Sequence, residues 1–288
     1  MAPLHRRRRQ AGLPACIAAY AALVILVPLH FAPAVDDRVA APTVAEAAHD
    51  HALEGLWHRY EAVADGDPVR FYYFHEGGVG LYRYGQVGLT NTHAFDYQAD
   101  GEVVEFVFRK TGERRRASYS IERDGQREWL VLRGDPREPG ETRYFRAGRG
   151  GQVEWGCQGG DASAGVGGRL WADQRRLRAG GLDFAIYQLQ GQSIDGRGVG
   201  WFHRGDFDEW TTEALQFREA GDALALRFPV RGDAVTTPLA RGHLGDGEDR
   251  RRTLTLAADP RDFGRSHRYV DAGPTFAAGP LLLPCEAP

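Results

Sequence analysis

Residues Gly78–Phe108, GVGLYRYGQVGLTNTHAFDYQADGEVVEFVF, are answered without a gap by Gly198–Phe228, GVGWFHRGDFDEWTTEALQFREAGDALALRF. Eight of the 31 positions are identical. Most of the others exchange like for like: Tyr82 with Phe202, Tyr97 with Phe217, Val104 with Leu224 and Phe106 with Leu226. Downstream, Arg127–Arg137 (REWLVLRGDPR) corresponds to Arg251–Arg261 (RRTLTLAADPR), and Tyr144 to Tyr269. Upstream, Trp57 corresponds to Trp171. Two copies of a unit of about a hundred residues, in the same order, indicate duplication of a folding unit.

Both copies read as strands broken by turn chemistry. In the first, extended runs are expected near 54–62, 68–76, 79–84, 92–98, 102–109, 115–122, 127–133 and 141–147. Asp100-Gly101, Asp124-Gly125, Gly77-Gly78 and Asp135-Pro136 punctuate them. Asp-Gly between apolar runs is a strong hairpin signal, because both residues accept positive φ. Connections this short leave no room for crossover helices, so neighbouring strands are antiparallel. The second copy follows the same plan near 169–176, 182–190, 197–204, 211–218, 222–229, 234–241, 251–257 and 266–271. Leu224, Leu226 and Phe228 alternate with Ala225 and Arg227, which marks a half-buried strand. Closing such a meander removes its edges. The predicted fold is therefore all-β: two tandem antiparallel meander barrels of about eight short strands each, after a signal peptide. The expected domains are repeat 1 over 53–147, a linker over 148–168 holding nine glycines, and repeat 2 over 169–288.

Gly55-Leu56-Trp57, at the head of the first strand, resembles the Gly-x-Trp signature of lipocalin-like (calycin) barrels. The resemblance implies that Trp57 plugs the closed end of a barrel, against an arginine of the last strand; Arg143 or Arg146 fits that role. In the second copy, Gly168-Arg169-Leu170-Trp171 carries one residue too many between glycine and tryptophan. Tandem lipocalin-like folds resemble certain bacterial hydratase-type proteins, but no catalytic motif carries over to this chain.

Residues 1–34 have the physics of an export signal. Arg6–Arg9 form a positive start, Leu13–Leu29 an apolar run, and Ala32-Pro33-Ala34 a small-x-small cleavage pattern. The expected location is periplasmic or extracellular, with a retained signal segment as the only membrane contact. Residues 35–52 read as an Ala-rich tether. The four arginines leave with the signal, so 36 basic residues become 32 against 39 acidic ones, a net charge of −7. That balance argues against nucleic-acid binding. Cys157 and Cys285 remain and flank the second repeat. In an oxidising compartment they can pair, for on the order of 4–5 kcal/mol in the chain-entropy account of so long a loop; the alternative is two separate thiols.

Candidate site residues divide by chemistry. His75-Glu76, after the Phe71–Phe74 run, is an acid–base pair without a counterpart in copy two, where Tyr187 continues into Gln188 and Leu189. Turn residues also collect at such a position. His203 and Asp206, near Arg204 in the matching hairpin, have no stronger claim. His49, His51 and His58 are the densest group of metal-ligand types, but a tether is a poor closed shell for zinc; no metal and no cofactor is expected. The aromatic residues are the better signal. Tyr72, Phe74, Tyr82, Tyr187, Trp201 and Trp210 are the candidate ligand-binding residues, since an eight-stranded interior either fills with side chains or holds one small ligand. Trp201 and Trp210 replace Leu81 and Thr90 of the first copy, so the fold does not require large rings there. Trp57, Trp171, Cys157 and Cys285 have structural roles. No phosphate-binding glycine loop or nucleophile elbow occurs. The function expected from the sequence is exported, lipocalin-like binding of a small apolar or aromatic ligand. A hydratase- or isomerase-type enzyme and an envelope scaffold with filled barrels are the alternatives.

Overall fold

The computed structural model describes residues 51–62, 64, 66–148, 165–177, 181–191, 197–247 and 250–274. The expected signal peptide (1–34), most of the expected tether and linker, His49, Cys157 and Cys285 lie outside the described residues. Every regular element among the described residues is a strand. The first unit holds β1 (Gly55–His58), β2 (Pro68–His75), β3 (Val79–Gln86), β4 (Leu89–Ala99), β5 (Val103–Phe108), β6 (Glu113–Asp124), β7 (Arg127–Arg133) and β8 (Glu141–Gly148). Consecutive strands pair antiparallel and β8 returns to β1, which closes a barrel.

The second unit holds β9 (Arg169–Arg176), β10 (Leu182–Leu189), β11 (Arg197–Asp206), β12 (Glu209–Ala220), β13 (Ala223–Phe228), β14 (Asp233–Leu244), β15 (Arg251–Asp259) and β16 (Arg265–Pro274). Its strands repeat the same succession of antiparallel pairings, from β9–β10 to β16–β9. All sixteen belong to one sheet, because β4 and β12 are shared between the units.

Each of these long strands does two jobs. In β4, Phe95–Ala99 pairs with β5, while Leu89–His93, still paired with β3 on one edge, pairs on the other with Glu209–Glu213 of β12. Asn91 faces Thr211, its own counterpart in the repeat, and the Thr211 hydroxyl lies 3.0 Å from the Asn91 side-chain oxygen. A pseudo-two-fold axis therefore passes between them. The Ala94 N–H donates to the Asp208 carbonyl at 2.8 Å, and the equivalent Ala214 N–H donates to Gly88 at 2.7 Å. The hairpins that send both strands outward need a glycine at one fixed place. Gly85 (φ +136°) and Gly205 (φ +148°) are identical in the two copies, and a Cβ would stand 2.4 Å and 2.2 Å from the carbonyl oxygens of Leu89 and Glu209. The pairing hides the strand edges that each unit would otherwise expose.

Inside the first unit the aromatic residues pack on one another. Tyr72, Phe74, Tyr82, Phe95, Tyr97, Phe106, Phe108 and Tyr144 are all buried. Tyr72 alone lies within 4.9–5.9 Å, centroid to centroid, of five other rings. The interior of the second unit is more aliphatic, with Leu189, Leu215, Leu224, Leu226, Leu254 and Leu256 around Tyr187, Phe202 and Tyr269. Trp57 and Trp171 sit at equivalent ends, each donating its indole N–H to a backbone carbonyl: Leu53 at 2.7 Å and Val166 at 2.9 Å. The donor–acceptor separation is four residues in one unit and five in the other. The extra residue of the second Gly-to-Trp segment is absorbed there. Arg146 lies over the Trp57 ring at 4.0 Å, whereas Arg143 lies over Trp129 on the outer face.

The seam between the units is an apolar cluster of Leu81 and Ala94 with Leu170, Ala172, Phe184, Ile186 and Trp210. Beside it the repeat symmetry reappears in polar form. Arg83 Nε donates to Thr92 at 2.7 Å, and His203 Nδ1, at the equivalent position, lies 2.9 Å from Thr212. Burial, followed by the nearby Arg83 charge, lowers the His203 pKa to about 3, and burial lowers that of His58, stacked between Phe71 and Phe145, to about 4. Both imidazoles are neutral in the folded state, so below the ordinary histidine pKa only the unfolded chain gains their protons. The histidine contribution to stability is then flat above pH 6.5 and falls by up to about 1.4 kcal/mol per pH unit per histidine as the pH drops toward 4. Acid titration followed by circular dichroism should show this limb, and His203→Asn should make it shallower; an unchanged slope would refute the assignment.

Candidate functional site

Each core is fastened by a buried aspartate of a repeated Asp-Pro-Arg turn. Asp135 accepts hydrogen bonds from the hydroxyls of Tyr72 (2.8 Å), Tyr144 (2.6 Å) and Thr142 (2.8 Å), and from the Arg137 N–H (2.9 Å). Asp259 accepts from Tyr187 (2.8 Å), from Tyr269 and from the Arg261 N–H (2.8 Å). The arginine that follows lies over a phenylalanine: Arg137 at 3.6 Å from the Phe108 centroid, Arg261 at 3.7 Å from Phe228. Burial first, and the aspartate charge second, push all four tyrosine pKa values up, so the hydroxyls keep their protons and donate. Tyr82, also buried in the first core, is raised to about 12.

Above these fastenings lie the mouths of the two units, and here the copies differ. In the first, Arg59 (2.9 Å) and Arg70 both bind Glu138, which ties β1 and β2 to the β7–β8 turn. In the second, the position of Arg59 is Asp173, that of Glu138 is Asp262, and that of Thr142 is His267. His267 Nε2 lies 2.9 Å from Asp173 and Nδ1 3.1 Å from Asp262. Its ring stacks on Tyr269 at 4.5 Å and 17°. An imidazolium can donate to both carboxylates, a neutral imidazole to only one.

Around this histidine is a recess of about 80 Å³ lined by Asp173, Asp183, Arg204, Arg261, Asp262 and Arg265, among others. Arg175 is bound to Asp173, Arg265 to Asp262, and Arg261 to Glu213 and Asp233. Arg204 differs: its guanidinium donates to the Arg261 carbonyl at 3.0 Å, and among the described residues it meets no carboxylate. Two exposed apolar side chains stand close in sequence to the lining, Leu177 (47% exposed) after Arg175 and Phe263 (85% exposed) after Asp262. Phe263 is also the one non-glycine residue with positive φ (55°) among the described residues.

The sequence-selected residues fall elsewhere. Tyr72, Phe74, Tyr82 and Tyr187 are core residues. Trp210 is in the seam cluster, and Trp201 is buried two residues from His203. His75 sits at a hairpin end with Nδ1 2.6 Å from the Glu76 carbonyl, and Glu76 is exposed. Asp206 caps the β11–β12 turn and binds Lys110; it is not joined to His203. His51 pairs with Glu54. Among the described residues no group of three His, Cys, Asp or Glu side chains is placed to hold a metal. His267, Asp173 and Asp262 escaped the sequence reading, although the frame Thr142-Arg143-Tyr144 against His267-Arg268-Tyr269 carried the signal. Compared with known proteins, the chain matches no family model, no curated protein and no solved structure.

Proposed function

We propose that this is an exported binding protein of two lipocalin-like barrels, the first filled and structural, the second holding a small carboxylate at its mouth. The observation that carries this is Arg204, an exposed guanidinium lining a small polar recess in which every other arginine is bound to a carboxylate. A guanidinium matches a carboxylate bidentately. At about 30 Å³ per water, the recess holds two or three waters, or one short-chain acid. The ligand expected from the sequence moves from the interior, which side chains occupy, to the rim. Export rests on the amino-terminal pattern of arginines, apolar run and Ala-Pro-Ala.

Thermal shift against acetate, propionate and benzoate, each beside its amide at constant ionic strength, is the test. Carboxylates should stabilise the protein, by about 2.7 kcal/mol at a hundred times Kd, and amides should not. Arg204→Gln should abolish the response. Equal responses to acid and amide, or an intact response in Arg204→Gln, would reject the proposal. The packed first core favours a second reading, a scaffold with filled barrels, and the absence of any carboxylate response would select it.

A further inference from the structure

The duplication supplies an internal reference for every surface of the second unit. One outer face departs from it consistently. On β11–β14, on the outside of the second unit, a recess of about 640 Å³ is lined by Arg197, Val199, Arg218, Ala225, Arg227 and Ala234, among others. In the first unit the positions of Ala225, Ala234 and Thr236 hold Glu105, Arg114 and Arg116. Three long charged side chains have become small, and that hollows the face. The carboxylate Asp96 has likewise become Gln216. In the opposite sense, Arg197, Arg218 and Arg227 stand where the first unit has Gly77, Gln98 and Val107. The lining thus holds three arginines and no carboxylate. Arg218 and Arg227 are exposed and make no ion pair among the described residues. The floor is apolar, with Ala225 and the backbone over the inward-facing Phe217, Leu226 and Val235, and Val199 is 41% exposed.

We propose that this face is a second ligand site, distinct from the mouth, for an amphipathic anion: a flat or extended apolar body with one acidic group. Volume and charge decide the class. The recess falls within the range of about 300–1,000 Å³ usual for small-molecule sites, several times the mouth recess. It crosses four strands, a span of about 15 Å at the usual strand spacing. The apolar floor takes the body, and the arginines of β12 and β13 take the acid.

The probe is 1-anilinonaphthalene-8-sulfonate, an aromatic monoanion, with neutral N-phenyl-1-naphthylamine as its uncharged counterpart. Fluorescence titration of the full chain should show saturable one-site binding of the anion, and binding of the neutral analogue at least tenfold weaker. The double variant Ala225→Glu/Ala234→Arg, which restores the first unit's residues at solvent-facing positions, should abolish that binding without lowering Tm. Arg218→Gln/Arg227→Gln should weaken it tenfold or more. Arg204→Gln should leave it unchanged, which separates failure here from failure at the mouth. Equal affinity for the neutral probe, or undiminished binding in the restored double variant, would overturn the proposal. So would the absence of saturable binding.

Discussion

Asp135→Ala should lower the unfolding free energy by about 4 kcal/mol or more, since it strands three buried hydroxyl donors that now meet one carboxylate. The carboxylate is almost wholly buried, so water cannot take its place without a cavity to enter. Asp135→Asn should recover only part of the loss. The amide keeps one acceptor oxygen but presents N–H groups where the second set of donors arrives. Asp259→Ala should behave alike in the second unit, where Tyr187 and Tyr269 lose their shared acceptor. Urea denaturation read by circular dichroism measures these differences, and a loss below about 1 kcal/mol would show that the aspartate is not the fastening. The linked tyrosines predict a matching alkaline limit. Their folded pKa values are raised, so their contribution is complete below pH 10 and declines only above it, as the unfolded chain begins to release those protons.

Trp210→Ala should cost about 3–5 kcal/mol, the usual range for emptying a large buried aromatic site. It should also change the form of unfolding. Trp210 packs with Leu81 and Ala94 of the first unit and with Phe184 of the second, so it belongs to both. With it in place, the shared strands and the seam should make the chain unfold in one transition. Without it, two transitions should separate, because the five-residue β4–β12 ladder and a seam cluster stripped of its largest side chain are what still join the units. A single transition retained at full cooperativity in Trp210→Ala would show that the ladder and the rest of the seam couple the units without this ring. Trp210→Thr, the first unit's own residue at this place, is the control that keeps a strand-compatible side chain.

Much of this architecture could be read without coordinates, for local reasons. The expected run at 127–133 coincides with β7, and that at 102–109 brackets β5. Strand alternation and Asp-Gly turns act over a few residues and need no partner to be recognised. Bounds differ at several strands, among them β1, expected over 54–62, and β14, expected over 234–241; at β4 and β12 the runs expected at 92–98 and 211–218 begin later than the strands do. The added residues, Leu89 to Asn91 and Glu209 to Trp210, belong to the ladder between the units. Their hairpin partners β3 and β11 are local, but their other edge is filled by a strand some 120 residues away, which no local pattern can announce. Trp201 and Trp210 were conspicuous because their counterparts are smaller. Size could not say which face of the strand was covered, and what covers Trp210 is the other unit.

The aspartates illustrate the same division. Asp135-Pro136-Arg137 and Asp259-Pro260-Arg261 were visible as a repeated turn, and a turn is all that short-range chemistry implies. That the carboxylate points inward to receive one tyrosine from the next strand and one from a strand more than sixty residues away follows only from the curvature of the sheet. The recess around Arg204 and His267 likewise gathers side chains from β9, β10, β11, β16 and the turn after β15. The amino-acid sequence by itself determined the duplication, the strand class and the turn positions, because hydrophobic period and φ preference are local. Only the tertiary structure decided which aromatic residues fill a core, which seal a seam, and which charges are left facing open space, because burial and pairing depend on strands brought together from across the chain.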